Sequence, residues 1–470
     1  MQTKSTLALI LVLVLGGCMV GPDYVRPAAP TPSAFKEADG WKVAQPADTA
    51  PRGQWWEAYN DPVLNGLVER VEVDNFNVAL YEARVRQANA GTQAATAALW
   101  PLVNAGAGAS RNSANSSSLG RNTNAAYNVA LGASWEPDLW GGIRRNIESA
   151  GASAQASEAD LANARLSVQA SVAQNYFLLR VQDAQIALLQ DTVEAYDKSL
   201  QLTRNQYAAG IVARGDVAQA EAQLKSTQAQ VYDARISRAQ LEHAIAVLVG
   251  KPPSELSIAP QPKLAAVYPD TPLVVPSALL ERRPDIAAAE RRAAAANAQI
   301  GVAQAAFYPN VSLSANGGLQ SSVIGSLLSF PNHYWTLGAA LAQVIFDGGL
   351  RTAQKEQAIA AYDQTVASYR STVLTGFQEV EDNLVALNLL AQEASVQEEA
   401  VTAARQSATI AQNQYRAGTT SYITVVVLQA NALNNERTAL GITARRLTAS
   451  VNLVRAMGGG WDAAQLAQNK

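Results

Sequence analysis

One hexapeptide occurs twice in this chain, and the repeat behind it is the feature that most constrains the fold. NQYAAG occupies residues 205–210 and NQYRAG occupies residues 413–418, so the two copies are 208 positions apart. The same offset joins further pairs of identical residues along both halves: Glu82 and Glu290, Arg84 and Arg292, Asn89 and Asn297, Pro101 and Pro309, Val103 and Val311, Gly250 and Gly458. A fixed period over separated windows indicates one structural unit that is used twice.

The two copies of this unit are predicted to share one order of elements. The first spans 64–250 and the second 285–458, and each has a helix, a strand pair, a long helix and a return helix. We predict strand pairs at 102–136 and 310–346, long helices at 142–209 and 349–417, and return helices at 216–249 and 423–457. Residues 251–284 contain eight prolines and form an extended connector, because proline removes a backbone donor and blocks a helix. Residues 459–470 form a C-terminal tail.

The long helices are predicted from the absence of proline and from a seven-residue apolar period. No proline occurs between Pro137 and Pro252 or after Pro331. Apolar residues recur at a spacing of seven in the first half: Val172, Leu179, Ile186, Val193, Leu200 and Tyr207. A seven-residue repeat marks a packing seam along a helix. At 1.5 Å per residue, each long helix would extend about 100 Å.

The strand pairs are predicted from a period of two. Tyr127, Val129 and Leu131 alternate with small or polar residues, and Val311 and Leu313 do the same in the second half. Strands of about ten residues with one apolar face fit a transmembrane barrel. Two soluble hairpins packed on a core would produce the same pattern, so the strands alone leave both interpretations open.

Together the two periods predict an α+β membrane protein that must associate with copies of itself. Four strands cannot close a barrel, because single-chain barrels begin at eight strands. An open sheet edge in lipid leaves backbone groups unsatisfied at several kcal/mol each. Two copies would supply eight strands, and three would supply twelve and enclose a lumen. Helices of about 100 Å exceed a hydrocarbon core of about 30 Å, so they project from it as a conduit.

The N-terminus has the pattern of a secretory signal. Lys4 precedes nine apolar residues at 7–15, followed by two glycines and Cys18. Nine residues are too few for a membrane-spanning helix and fit a signal peptide over 1–17. The ending LGGC is similar to a bacterial lipobox, in which the cysteine is acylated; an ordinary signal peptide that contains a cysteine is the alternative. Cys18 is the sole cysteine and cannot form an intrachain disulfide. We therefore predict that 18–63 is an extended, lipidated segment, and the absence of aspartate after Cys18 favours the outer membrane.

Five further motifs accompany the NQYxAG pair: CMVGPDYVRP (18–27), WWEAYNDPVLNGLV (55–68), LLERRPDIAAAE (279–290), AAFYPNVSLSA (305–315) and FDGG (346–349). Through these motifs nearly the whole chain resembles the TolC-like outer-membrane factors. The resemblance is greatest to their lipoprotein branch, the NodT-type outer-membrane lipoproteins of multidrug efflux systems. It implies a homotrimer with a 12-stranded β-barrel and a periplasmic α-helical tunnel, anchored in the outer membrane through a lipid on Cys18.

The resemblance also implies a passive function. The chain would be the exit duct of a tripartite efflux system, with a periplasmic adaptor and an inner-membrane pump of the RND type as partners. Ducts for type I protein secretion or for metal-ion efflux share this architecture and remain alternatives. The residues themselves suggest no enzyme, cofactor or metal site, since the two histidines, His243 and His333, are far apart in sequence. The net charge of −3 does not favour nucleic-acid binding.

The resemblance places a gate at the periplasmic ends of the long helices. Tyr415 matches the clamp tyrosine of the family, and Asp216 matches its aspartate partner. A hydrogen bond from a tyrosine hydroxyl to a carboxylate is worth about 1.5–3 kcal/mol, and three copies would repeat it. The hypothesis is that Asp216 and Tyr415 form a latch.

This chain also departs from the family pattern at the gate. Thr420 stands where some members carry arginine, and Thr424 and Val427 stand where some carry acidic residues. Arg214 and Arg416 are close to the aspartate in sequence, and an ion pair from either would replace the missing arginine. Val427 would form an apolar constriction or pack as an ordinary helix residue.

Overall fold

A computed structural model describes residues 19–37, 54–116, 120–264, 266–269 and 282–461, and the side chains of 114–123 are left out of the description. The predicted signal peptide, Cys18 and the end of the C-terminal tail lie outside the described residues, as does part of the proline-rich connector. Within the described part of the chain, no helix has an apolar stretch long enough to cross a bilayer.

The described residues alternate helices and strands in the same order twice. The helices are α1 (Pro62–Asp74), α2 (Phe76–Ala97), α3 (Gly142–Ala208), α4 (Arg214–Leu248), α5 (Pro284–Ala305), α6 (Leu350–Arg416) and α7 (Tyr422–Ala456). The strands are β1 (Leu102–Ser116), β2 (Gly120–Trp135), β3 (Asn310–Ser321) and β4 (His333–Ala342). The long helices α3 and α6 contain 67 residues each.

Two differences from the predicted elements have local causes. The single helix predicted at the start of the first repeat is two helices, α1 and α2, separated at Asn75. The Asn75 side chain accepts hydrogen bonds from the N–H groups of Asn77 and Val78 and so caps α2. The second strand pair was predicted to reach residue 346, but β4 ends at Ala342, opposite the first residue of β3. Beyond β4, the Arg351 side chain donates a hydrogen bond to the carbonyl of Val344.

The chain divides into two compact units. The first takes in the described parts of 1–28, 84–158 and 288–370, and it contains the sheet. The sheet is antiparallel throughout with the order β1-β2-β3-β4. The first hairpin has strands of 15 and 16 residues, longer than the predicted ten. Among the described strands, β1 and β4 are therefore edges.

The second unit takes in the described parts of 29–83, 159–287 and 371–470 and contains the largest hydrophobic cluster. The motif WWEAYNDP enters this cluster as a 3₁₀ turn (Trp55–Tyr59) followed by Asp61, which caps α1. Trp56 and Tyr59 are buried, and the Tyr59 hydroxyl forms a 2.8 Å hydrogen bond with Ser450 Oγ. The predicted seam is buried at its start, where Val172 and Leu179 are fully inaccessible.

A buried charge network ties the start of the connector to the helices of the second unit. The Asp183 side chain is 1% exposed. It accepts hydrogen bonds from Arg180 Nη1 at 3.0 Å, from Arg238 Nε at 2.6 Å and from the Gln261 N–H at 3.0 Å. Arg238 also donates to the carbonyl of Ile258. A buried carboxylate with three donors is electrostatically compensated, so side-chain hydrogen bonds hold the connector at Ile258 and Gln261.

We predict that Asp183→Asn lowers the free energy of unfolding by about 3–5 kcal/mol, because it leaves the buried Arg180 without its charge partner and leaves Arg238 with Glu242 alone. The measurement is urea denaturation of the detergent-solubilised protein. The matched control is Glu194→Gln, which removes an exposed ion pair with Lys198 on the same helix and should leave the midpoint unchanged. Equal midpoints for wild type and Asp183→Asn would contradict the prediction.

Candidate gate at the helix turns

The repeated hexapeptide forms the same C-terminal cap on both long helices. Gly210 and Gly418 have φ angles of 73° and 75°, the left-handed conformation that favours glycine. The residue after each glycine closes the turn: the Ile211 N–H donates to the Gln206 carbonyl, and the Thr419 N–H to the Gln414 carbonyl, both at 2.9 Å. This is the Schellman arrangement. The repeat of NQYxAG is therefore a repeated helix stop.

The tyrosines of the two hexapeptides have different surroundings. Tyr415 is 4% exposed, whereas its counterpart Tyr207 is 47% exposed. The Tyr415 ring packs against the Tyr422 ring with centroids 5.2 Å apart. Its hydroxyl donates to Thr203 Oγ1 at 3.5 Å, the outer limit of a hydrogen bond. Aromatic packing thus joins the two sides of the second turn, and the hydrogen bond of Tyr415 to α3 is long.

Tyr422 also contacts α3. Its hydroxyl lies 3.5 Å from Ser199 Oγ, and Val425 and Leu200 belong to the same cluster. Tyr422, Ser199 and Thr203 were not among the predicted site residues. Thr203 does fall seven residues after Tyr196, which belongs to the same cluster as Tyr422, so the seven-residue spacing on α3 contained a signal for it.

Asp216 lies in the first turn of α4 with a half-buried side chain. Within the described residues, its carboxylate has no hydrogen bond or ion pair, and the Tyr415 hydroxyl is bonded to Thr203 instead. The pKa of the Tyr415 hydroxyl is raised, mainly by burial. The hydrogen bond to Thr203 lowers this pKa, and the negative charge of Asp216 raises it further. The two predicted latch residues therefore interact electrostatically in one chain without a direct bond.

The remaining predicted gate residues do not surround Asp216 with charge. Arg214 and Arg416 are exposed, and neither forms an ion pair in the part of the chain that the structure describes, so the predicted replacement of the missing arginine is absent within one chain. Thr424 is bound by the Ser421 hydroxyl at 3.2 Å, and Thr420 is half-buried. Val427 is 49% exposed, which fits a surface position better than packing within one chain.

A polar groove runs beside these turns, between α3 and the α6–α7 hairpin. Its volume is about 760 Å³. The charged side chains that line it come from both helices: Asp191, Glu194, Lys198 and Arg416. No group of three or more His, Cys, Asp or Glu side chains suited to a metal ion occurs in the described residues. The arrangement offers a polar docking surface.

Comparison with known proteins identifies the family. The family model described as outer membrane efflux protein matches residues 67–251 and again 275–459. The toluene efflux pump outer membrane protein TtgC of Pseudomonas putida is 32% identical over 467 residues, covering 98% of this chain and 96% of that protein. The pyoverdine export outer membrane protein OpmQ of Pseudomonas aeruginosa is 31% identical, with 98% of each chain covered.

Solved structures agree with this assignment. The outer-membrane channel OprN superposes with a TM-score of 0.88 at 30% identity, covering 94% of this chain and all of that one. The tandem order of strand pair and long helix, predicted from the 208-residue period, is thus the fold of an outer-membrane channel. On the double match to one family model and on relatives of nearly equal length, this chain belongs to the outer membrane efflux protein family.

Proposed function

We propose that this protein is the exit duct through which a tripartite efflux system moves small organic molecules across the outer membrane. The observation that carries the proposal is the tandem unit itself, in which a β-hairpin is followed by a 67-residue helix in each half. The relatives named for toluene efflux and for pyoverdine export handle small organic compounds of different polarity. Cargo selection therefore belongs to the inner-membrane pump, of the RND type, and the duct is passive.

The sheet supports the proposed homotrimer. Apolar side chains on one face are exposed to solvent at alternate positions of β4, where Trp335 and Leu337 are 72% and Leu341 is 71% exposed. Such a face fits lipid. The free backbone groups of β1 and β4 must be paired in a bilayer, and three copies would pair them in a twelve-stranded barrel.

A periplasmic adaptor is the proposed partner at the other end of the long helices. The polar groove beside the turns presents negative charges from carboxylates and positive charges from an ammonium and a guanidinium group. Mixed charges at a rim give register and specificity more than affinity, as expected for a duct that one adaptor must recognise. The second unit thus carries both the proposed gate and the proposed docking surface.

We predict that deleting this chain from its bacterium raises the intracellular level of a hydrophobic fluorescent dye in energised cells, since the pump loses its exit. A plasmid copy of the wild-type chain should restore the low level, and the empty plasmid is the control. Unchanged accumulation of organic probes, together with a loss of secreted protein or of metal tolerance, would favour the secretion or metal-ion alternatives.

We further propose that Cys18 carries the lipid anchor, supported by the lipobox pattern and by the absence of another cysteine. Cys18→Ser should abolish incorporation of labelled palmitate, because serine offers no thiol to the acylating enzymes. Met19→Ser is the control, since it alters the neighbouring residue and retains the thiol. A labelled serine variant would contradict lipidation at this position.

We propose, finally, that Asp216 latches the closed duct. Its carboxylate is half-buried and has no partner within the described residues of one chain, so it is available to a donor on a neighbouring copy. Tyr415 remains the hypothesised donor by family resemblance, although within one chain its hydroxyl binds Thr203. Opening would release this contact.

We predict that Asp216→Ala raises the conductance of the channel in planar bilayers because it removes the latch acceptor. Thr424→Ala, at the equivalent position of the second repeat, is the matched control and should conduct like wild type. Tyr415→Phe identifies the donor, since it should reproduce Asp216→Ala only if the tyrosine hydroxyl is the partner. Wild-type conductance of Asp216→Ala would exclude the latch.

A further inference from the structure

The first described residues of the chain, 19–26, lie in a groove of the first unit. The Val20 N–H donates to the carbonyl of Trp140 at 3.1 Å. The Asn297 side-chain amide donates to the carbonyl of Pro22 at 3.0 Å. The Tyr24 hydroxyl donates to Glu290 Oε1 at 2.6 Å. This segment, which we call the docking segment, is therefore bound along its length by main-chain and side-chain contacts.

Arg145 is the centre of this groove. Its side chain is 1% exposed. Its guanidinium donates to the carbonyls of Val20 and Gly21, both at 3.2 Å, and to Asp23 Oδ1 at 2.7 Å and Glu148 Oε2 at 2.8 Å. Asp23 itself is 88% exposed, so the segment covers the arginine and keeps its own carboxylate in water. A guanidinium bound to two successive carbonyls fixes the register of the main chain, because a shift by one residue would break both bonds.

Glycines permit this close approach. Gly21 has a φ of 98°, and a Cβ there would stand 2.4 Å from the Cα of Gly301. A Cβ on Gly301 would stand 2.8 Å from Arg145 Cγ and push the guanidinium out of place. The close approach therefore requires glycine both at position 21 of the docking segment and at position 301 of the groove.

The tandem repeat shows that these features are not needed for the fold of the unit. At the offset that matches Arg144 with Arg351, the counterpart of Arg145 is Thr352. At the offset of 208, the counterpart of Gly301 is Gln93. The long helix of the second repeat, α6, begins without this arginine. The helix before the strands of the first repeat, α2, folds without this glycine. These two residues thus mark a function particular to one place in the repeat.

We propose that Arg145 clamps the docking segment and thereby fixes where the acylated Cys18 enters the membrane. This inference rests on the proposed lipidation of Cys18. Cys18 lies two positions before the clamped Val20, which limits the acylated residue to about 7 Å from that point. Without the clamp, the next side-chain tether near the end is Asn297 on the carbonyl of Pro22, and the reach grows to about 14 Å.

The surroundings of the clamp fit a membrane interface. The Trp140 ring stacks on the Tyr308 ring with centroids 4.8 Å apart, and Trp140 supplies the carbonyl that binds Val20. Tryptophan and tyrosine favour the headgroup level of a bilayer. The clamp therefore holds the lipid attachment point beside residues that prefer the same depth, and acyl chains that leave Cys18 there can enter the leaflet directly.

The clamp can be tested by limited proteolysis of the full-length protein solubilised in detergent micelles. Chymotrypsin cuts after Tyr24 when the docking segment opens, and the rate follows the open population. Arg145→Met should raise this rate at least about tenfold, since charge-assisted hydrogen bonds are lost. Arg165→Met is the matched control: it removes the partner of Glu82, the repeat counterpart of Glu290, and should be cleaved like wild type. A wild-type rate for Arg145→Met overturns the clamp.

Two further measurements separate the clamp from lipidation and from folding. A Cys18→Ser chain exported by a non-lipoprotein signal peptide should be cut as slowly as wild type; cleavage as fast as in Arg145→Met would mean that the lipid holds the segment, and would overturn the proposal. Palmitate labelling of Arg145→Met should equal wild type, which keeps a failure of the clamp distinct from a failure of acylation.

A positional readout distinguishes a clamp from a purely structural arginine. A fatty acid with a photoreactive group near its carboxyl end, incorporated on Cys18, should crosslink to peptides that contain Trp140 or Tyr308. In Arg145→Met, and in Gly301→Ala as a second variant, the adducts should spread to other peptides. Adducts that stay confined in both variants would overturn the inference.

Discussion

The unpaired backbone groups on the outer edges of β1 and β4 are the constraint from which the proposed assembly follows. In water such edges are tolerated, but in lipid each unpaired N–H or C=O costs several kcal/mol. One chain has four described strands and two free edges. A single outer-membrane efflux protein therefore cannot be complete in a bilayer, and the long helices that leave the sheet must come together in the proposed trimer as a ring.

The second constraint is the repeat, and its exceptions are informative. A duplicated unit folds the same way twice, so each strand pair, long helix and return helix has a counterpart, as do the glycine caps at Gly210 and Gly418. Where the counterparts differ, the difference reflects position in the chain or in the assembly. Tyr415 is buried where Tyr207 is exposed, and the first turn of one return helix contains Asp216 where that of the other contains Thr424. Arg145 has no arginine counterpart because only one of the two repeats has its long helix beside the N-terminal segment.

Much of the architecture was predictable because it depends on local periodicity. Proline-free stretches with a seven-residue apolar period became helices of 67 residues, and alternating stretches became strands. The errors occurred where a single side chain decides a boundary. Asn75 caps α2 and also donates to the carbonyl of Leu248, and the Arg351 side chain donates to the carbonyl of Val344 beyond β4. The cap is local and asparagine favours it, but the contact with Leu248 cannot be read from the sequence around Asn75.

The sequence by itself determined the duplication, the element types, the repeated helix stop and the family, since these follow from spacing and from motifs read along the chain. Only the tertiary structure decided which partner each polar side chain meets. Tyr415 binds Thr203, 212 residues away in sequence, and Arg145 binds carbonyls more than 120 residues before it. Such pairings depend on which helix faces which, and a helix period specifies the face of each helix without specifying its neighbour.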